Sequence, residues 1–194
     1  MNNIVIEKLQ KYRSRIQLIQ IDVDDLKSLR EYSSLLLSKE LYDHIPTEVF
    51  LVFQTDALIC EKFKDQIYDF IEYDYVGAPV LGSSPWNLDE GAVGNGGLSL
   101  RRKSKMLEII DKCKVRDDIT GHREDLTYED MFFSFPCEKV TEINKPPVED
   151  AKNFSVETVY NDKAFGIHKA YAYHDISKLR SWCPQIEKLS QLQK

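Results

Sequence analysis

Several sequence signals are scarce in this chain of 194 residues, and each shortage argues against a class of protein. No run reaches the roughly 18 apolar residues that a membrane-spanning helix needs. Basic residues are not in excess, since 26 Lys and Arg against 32 Asp and Glu give a net charge of −6. A nucleic-acid binder would usually need a basic face. The N-terminus, MNNIVIEKLQKYRSR, lacks the order of a signal peptide, so we expect a cytoplasmic protein.

Cysteine is also sparse and widely spaced. The four cysteines stand at positions 60, 113, 137 and 183, and no two form a CxxC pair. Structural zinc sites usually take ligands in closely spaced pairs, so a zinc site is not expected. Four free thiols, buried or half-buried, are the prediction for a cytoplasmic chain with so few cysteines.

The composition and hydrophobic pattern predict one α/β domain over residues 1–194, and leave open that it is truncated at its N-terminus or is one domain of a larger protein. Hydrophobic residues make up 42% and charged residues 30%, which is typical of a globular chain. The apolar run Val49–Phe53 predicts a strand buried on both faces, and helical spacing predicts a helix over 24–45, capped by Asp24 or Asp25. Further strands are expected over 16–23, 74–79, 96–101, 151–160 and 164–169. Further helices are expected over 61–72, 102–113, 128–137, 176–182 and after Pro184. Loops are expected over 81–97 and 116–127.

Two polar segments follow predicted strands, where α/β proteins usually bind ligands. Gln54, Thr55 and Asp56 end the first apolar run, and Asp56 is suited either to a metal or ribose hydroxyl or to capping the next helix. Gly96 and Gly97 allow a close approach of backbone to ligand, or simply form a turn. No GxGxxG or GxxxxGK[ST] phosphate-binding pattern is present.

Two further candidates carry titratable groups. Glu129 and Asp130 precede the apolar run Met131–Phe135, which can raise the pKa of one acid and make it a general base. The alternative is an acidic first turn that complements the helix dipole. His168 is suited to ligating a metal, and Lys169 beside it to meeting a phosphate, although a single histidine is more often structural.

The order of these segments resembles a family of glycosyltransferase-like domains of unknown function. The resemblance rests on FQTD, YDYVGAP, GNGGLSLR, EDMFF, FSVE and FGIHK, which lie in this order between about residue 30 and residue 170. The motif order is also similar to that of galactosyltransferase and fringe-type enzymes. It implies the GT-A fold, a Rossmann-like α/β sandwich whose mixed central sheet is flanked by helices.

The resemblance also implies roles for individual residues. Asp130, with Glu129 beside it, would deprotonate the acceptor hydroxyl, and Asp56 and His168 would hold a divalent metal, Mn²⁺ or Mg²⁺. The residues that it implies for donor binding are Thr55, Asp56, Gly96, Gly97, Arg101 and Lys169. The chain departs from the usual Asp-x-Asp motif at its first acid, which is Gln54 here.

The activity implied is metal-dependent transfer of a sugar, with inversion, from a nucleoside-diphosphate sugar, most simply UDP-linked, to a glycan or another hydroxyl-bearing acceptor. The alternative is a catalytically inactive module that binds a sugar nucleotide or a carbohydrate. An enzyme needs Asp56, Asp130, His168 and Gly96–Gly97 to line one cleft, whereas a non-catalytic module would scatter them over the surface.

Overall fold

The structure of the chain is a computed structural model that describes residues 10–12, 14–21, 23, 26–80, 92–114 and 128–192. The described strands are β1 (Val49–Phe53), β2 (Ala57–Ile59), β3 (Tyr75–Val76), β4 (Pro79–Val80), β5 (Ala92–Val93), β6 (Leu98–Arg102), β7 (Ser155–Val156) and β8 (Gly166–His168). The described α-helices are α1 (Leu29–Leu36), α2 (Lys39–Asp43), α3 (Lys103–Lys112), α4 (Glu129–Ser134), α5 (Val148–Ala151), α6 (Ile176–Trp182) and α7 (Ile186–Leu192). Short 3₁₀ helices cover Gln10–Tyr12, Glu61–Phe70 and Ala170–Ala172.

The predicted α/β class is confirmed, but the strands of the described residues form three small sheets in place of one central sheet. The first is antiparallel with the order β1-β6-β3, and the second has the order β2-β8-β7, with β7 and β8 parallel. The third pairs β4 with β5. The first two sheets supply the strand ends at which most of the candidate residues lie.

Strand β1 lies at an edge of the first sheet, which corrects the expectation that it is buried on both faces. Its residues Val49 to Val52 are half-buried, and Phe53 is 70% exposed. The central strand β6 is instead the buried one, from Leu98 to Arg101. An apolar run suits burial, but its position in the sheet decides how much of it is covered.

The N-terminal part departs most from the sequence predictions. Residues 16–21 and 23 form no strand, and Leu18 and Ile19 are 47% and 38% exposed. The helix predicted over 24–45 is divided into α1 and α2, because Ser28 and Ser38 are extended residues that each cap a helix. The proposed caps Asp24 and Asp25 lie outside the described residues, as do most of the predicted loop over 81–97 and all of that over 116–127.

Two disulfides replace the predicted free thiols. Cys60 is bonded to Cys183 across 123 residues, and Cys113 to Cys137 across 24, with Cα atoms 5.1 and 5.6 Å apart. The prediction was wrong because spacing along the chain does not reveal which cysteines the fold brings together. The first disulfide joins the end of β2 to the end of α6, and the second joins the end of α3 to the segment after α4.

Each disulfide lies beside a different hydrophobic core. The core around Cys60 and Cys183 includes Ile167 of β8 and Trp182 of α6. The core beside the other disulfide is built from Tyr42, Tyr75, Met106, Ile109, Phe132 and Phe133, with Cys113 half-buried against it. In the described part of the chain, no helix is both long and apolar enough to cross a membrane.

Candidate functional site

The candidate site forms where β1 and β6 stop pairing. The last paired residues are Phe53 and Leu98, and directly beyond them the N–H of Gln54 donates to the carbonyl oxygen of Gly97 at 2.8 Å. The chain then turns through Thr55 into β2. This turn carries the polar residues from the first sheet to the second.

The second sheet returns to the same place through β8. Ala57 pairs with His168, and the N–H of Lys169 donates to the carbonyl oxygen of Asp56 at 3.1 Å. Lys169 has a left-handed backbone conformation, with φ of 50°, which ends β8 sharply. Residues that are more than 100 positions apart in sequence therefore become neighbours.

The imidazole of His168 is surrounded by polar side chains. Its Nε2 lies 3.2 Å from Oε1 of Gln54 and 3.3 Å from Oδ1 of Asp56, and its Nδ1 lies 3.4 Å from Oε2 of Glu157. A Cβ at Gly97 would overlap Nε2, so only glycine leaves room for the ring. We call this group the His168 side; its members are Gln54, Asp56, Gly97, Glu157 and His168.

A second group lies on the other side of the two glycines. The N–H of Gly96 donates to Oδ2 of Asp130 at 3.1 Å, and the N–H of Met131 donates to Oδ1 at 2.8 Å. A Cβ at Gly96 would lie 2.6 Å from Oε1 of Glu129, so this glycine is also needed for the close approach of α4. We call this group the Asp130 side; its members are Gly96, Arg101, Glu129 and Asp130.

Arg101 and Glu129 form a buried ion pair at the base of the Asp130 side. Nη2 of Arg101 donates to Oε1 of Glu129 at 2.9 Å, with the side chains 0% and 5% exposed. The guanidinium also donates from Nε to Oγ of Ser99 and lies over the rings of Tyr75 and Phe133. This corrects the expectation that Arg101 contacts a diphosphate, because its side chain has no exposed surface.

The same burial affects the acid at the start of α4. Burial raises the pKa of Asp130 to about 7, and repulsion from Glu129 contributes to the rise. The hydrogen bonds from Met131 and Gly96 and the charge of Arg101 act in the opposite direction. A carboxylate with a pKa near the working pH is suited to accepting a proton in a reaction. Asp130 therefore has the electrostatic setting of a general base.

The His168 side offers the oxygen and nitrogen donors that a divalent cation prefers. Adjacent ligands of an octahedral ion at about 2.1 Å lie about 3 Å apart, close to the 3.3 Å between Asp56 Oδ1 and His168 Nε2. The amide oxygen of Gln54 lies within the same reach. Across the described residues, no group of three or more His, Cys, Asp or Glu side chains could hold a metal. These residues fit a cation whose remaining ligands come from a bound phosphate or water.

The sequence-predicted residues thus lie together, with differences in exposure. Thr55 and Lys169 are exposed at the edge of the site, Asp56 is about one-third exposed, and His168 is buried. Sequence reasoning quoted the FSVE motif without giving its glutamate, Glu157, a role, and it did not foresee that Gln54 contacts His168. Glu157 lies inside the strand predicted over 151–160, so the sequence pattern gave no signal for it; in the structure it directly follows β7.

Comparison with known proteins gives one family. Residues 15–168 match a family described as a protein of unknown function (DUF5672), which covers well over half of the chain. Neither the curated proteins nor the solved structures include a match.

Proposed function

The chain belongs to the DUF5672 family, and we propose that it is a metal-dependent, inverting glycosyltransferase of the GT-A type. Its donor would be a nucleoside-diphosphate sugar, UDP-linked in the simplest case, and its acceptor a hydroxyl group of a glycan or another molecule. The observation that carries the proposal is the proximity of Asp56, His168, Gly96 and Asp130 around one strand junction. Scattered residues would have favoured a non-catalytic module.

Asp130 is the proposed general base. Its carboxylate takes the proton of the acceptor hydroxyl while the acceptor oxygen forms a bond to the anomeric carbon of the donor sugar. The bond from that carbon to the diphosphate oxygen breaks, and its electron pair leaves with the diphosphate. A single displacement of this kind inverts the configuration at the anomeric carbon. The pKa of about 7 for Asp130 favours this proton transfer near neutral pH.

Asp56 and His168 are the proposed ligands of Mn²⁺ or Mg²⁺. When bound, such an ion would neutralise the charge that develops on the departing diphosphate. Lys169 and Thr55, exposed beside Asp56, would contact the diphosphate. Lys169, in place of the buried Arg101, would supply the positive charge next to it. Gly96 and Gly97 would let the donor sugar approach the backbone closely.

The compartment is also a proposal. The sequence pattern predicts a cytoplasmic protein, whereas disulfides persist mainly in oxidising compartments and are rare in the cytosol. Because all four cysteines are paired, we propose that the protein works in an oxidising environment. The single-domain organisation over residues 1–194 stays a prediction.

Calorimetric titration with UDP and several UDP-sugars tests the function, with Mn²⁺, with Mg²⁺ and with a chelator. We expect metal-dependent binding, and transfer to an acceptor that Asp130→Asn reduces by about 100-fold or more while binding is retained. The exposed Asp150→Asn is the matched control and should transfer normally. Metal-dependent binding without transfer to any acceptor would favour the inactive sugar-nucleotide module. No binding of any sugar nucleotide would contradict the proposal.

A further inference from the structure

The parallel register of β7 and β8 sets an acid beside the histidine of the site. Val156 pairs with Ile167, so the next residues along the two strands, Glu157 and His168, are neighbours as well. Each is 6% exposed, and Oε2 of Glu157 lies 3.4 Å from Nδ1 of His168. The carboxylate therefore approaches the imidazole from the side that faces away from Asp56.

We propose that Glu157 is a positioning residue that keeps the proton of the neutral His168 imidazole on Nδ1 and so presents Nε2, unprotonated, to Asp56 and Gln54. A buried carboxylate needs a hydrogen-bond donor, because its charge is otherwise neither hydrated nor paired. Among the described residues, Oε2 of Glu157 and Nδ1 of His168 have no hydrogen-bond partner, and they lie 3.4 Å from each other. Each is the nearest suitable partner of the other, and a small shift that shortens and aligns the contact makes it a hydrogen bond.

Asp56 and Gln54, the possible acceptors near Nε2 of His168, depend less than Glu157 on a hydrogen bond from the imidazole. The Asp56 side chain is 31% exposed, compared with 8% for that of Glu157, so water can satisfy it. The amide of Gln54 can present either its oxygen or its nitrogen to Nε2, and the nitrogen is a donor. Gly97, which has no Cβ, packs against the ring without displacing Nε2.

This arrangement prepares Nε2 to act as an acceptor or ligand. Histidines that bind metals commonly donate their second N–H to a carboxylate, and loss of that partner typically weakens metal binding by 10- to 100-fold. The link from this nitrogen to donor binding rests on the proposed function. The location of the proton does not, and it can be measured in the metal-free protein.

Long-range ¹H–¹⁵N NMR spectra of the metal-free protein at pH 8 identify the protonated nitrogen of His168. We expect Nδ1–H in the wild type and in Glu157→Gln, whose amide oxygen still accepts the hydrogen bond. In Glu157→Leu, which fills the space without an acceptor, the proton should move to Nε2. Glu149→Leu, at an exposed acid of α5, is the control and should leave the spectrum of His168 unchanged. An Nε2–H or doubly protonated His168 in the wild type would overturn the proposal.

A second measurement separates this inference from the proposed function. Titration of Mn²⁺ with UDP should be weakened 10- to 100-fold by Glu157→Leu and largely restored in Glu157→Gln. If Glu157→Leu unfolds, Glu157→Gln still tests the idea, because loss of Nδ1–H despite a retained acceptor would contradict it. If Mn²⁺ and UDP do not bind the wild type, the proposed function fails, while an Nδ1–H signal that depends on Glu157 would still support the positioning role. An Nδ1–H signal that persists in a folded Glu157→Leu variant would overturn it.

Discussion

The two sides of the candidate site differ in how their buried charged side chains are paired. On the Asp130 side, Glu129 is paired with Arg101 at 2.9 Å, and both oxygens of Asp130 accept backbone N–H groups. On the His168 side, Glu157 and His168 face each other at 3.4 Å, and the atoms that face each other have no better partner among the described residues. The first side leaves one buried atom, Nη1 of Arg101, without a hydrogen-bond partner among the described residues, and the second leaves two, Oε2 of Glu157 and Nδ1 of His168.

This difference indicates that the two sides of the site have different roles. A complete buried network fixes geometry, because breaking any member of it leaves an unpaired charge. On the His168 side, the proposed pairing of Glu157 with Nδ1 leaves Nε2 of His168 unprotonated, and a bound metal or ligand that gives Nε2 a partner would stabilise this side. We therefore expect changes at Arg101 and Glu129 to act mainly through stability, and changes at Glu157 and His168 mainly through ligand binding. Three sets of changes test the stability of the molecule around the site, in decreasing order of expected effect.

Removal of the two disulfides is expected to change the free energy of unfolding most. Removing Cys60–Cys183 with a pair of Cys→Ala changes should destabilise the protein by about 5 kcal/mol, and removing Cys113–Cys137 by about 3.5 kcal/mol, because a cross-link over a longer loop restricts the unfolded chain more. The loops span 123 and 24 residues. Urea unfolding without reductant measures both values. Equal costs, or no change when the wild-type protein is reduced, would contradict this prediction.

Arg101→Met tests the completeness of the Asp130 side. The change leaves Glu129, only 4% exposed, without its cation and should cost about 3 to 5 kcal/mol of unfolding free energy. The double variant Arg101→Met with Glu129→Leu should recover most of this loss, since no charge is then left buried. Arg102→Met is the matched control: its ion pair with Asp74 is partly exposed, so we expect a cost of about 1 kcal/mol. A single variant as mild as this control would show that Glu129 does not depend on Arg101.

The pH dependence of stability tests Asp130 itself. Its pKa is raised from 3.8 to about 7 on folding, so between about pH 4 and pH 7 the folded protein holds this proton more tightly than the unfolded chain does. The contribution of Asp130 to stability therefore falls as the pH rises through this range. Asp130→Asn should gain about 2 to 3 kcal/mol relative to the wild type between pH 4 and pH 8, allowing for partial exposure. Urea unfolding at several pH values measures it, with Asp150→Asn as control. A difference that stays flat with pH would exclude a raised pKa.

The spacing of apolar residues along the chain predicted several of the helices and strands correctly. The strand β6 and the helices α3, α4, α6 and α7 lie where apolar spacing and helix signals put them. The order of short motifs was enough to name Asp56, Gly96, Gly97, Asp130 and His168, and the structure brings these residues together.

The features that the sequence did not reveal depend on distant parts of the chain. The bond between Cys60 and Cys183 joins residues that no spacing rule connects. The burial of Arg101 follows from its position on a central strand under two aromatic rings. The neighbourhood of Glu157 and His168 depends on the register of two short parallel strands, which their few residues do not specify on their own.

The longer disulfide has a topological consequence for the molecule. Cys60 and Cys183 enclose the stretch of chain that holds Gly96, Gly97, Asp130 and His168, so these residues belong to one covalent ring. A single cut of the backbone anywhere within 61–182 opens that ring without dividing the molecule. A cut within 114–136 also falls inside the smaller ring closed by Cys113 and Cys137, so both disulfides then hold the two pieces together. A nicked chain would thus migrate as one species until a reductant releases its two pieces.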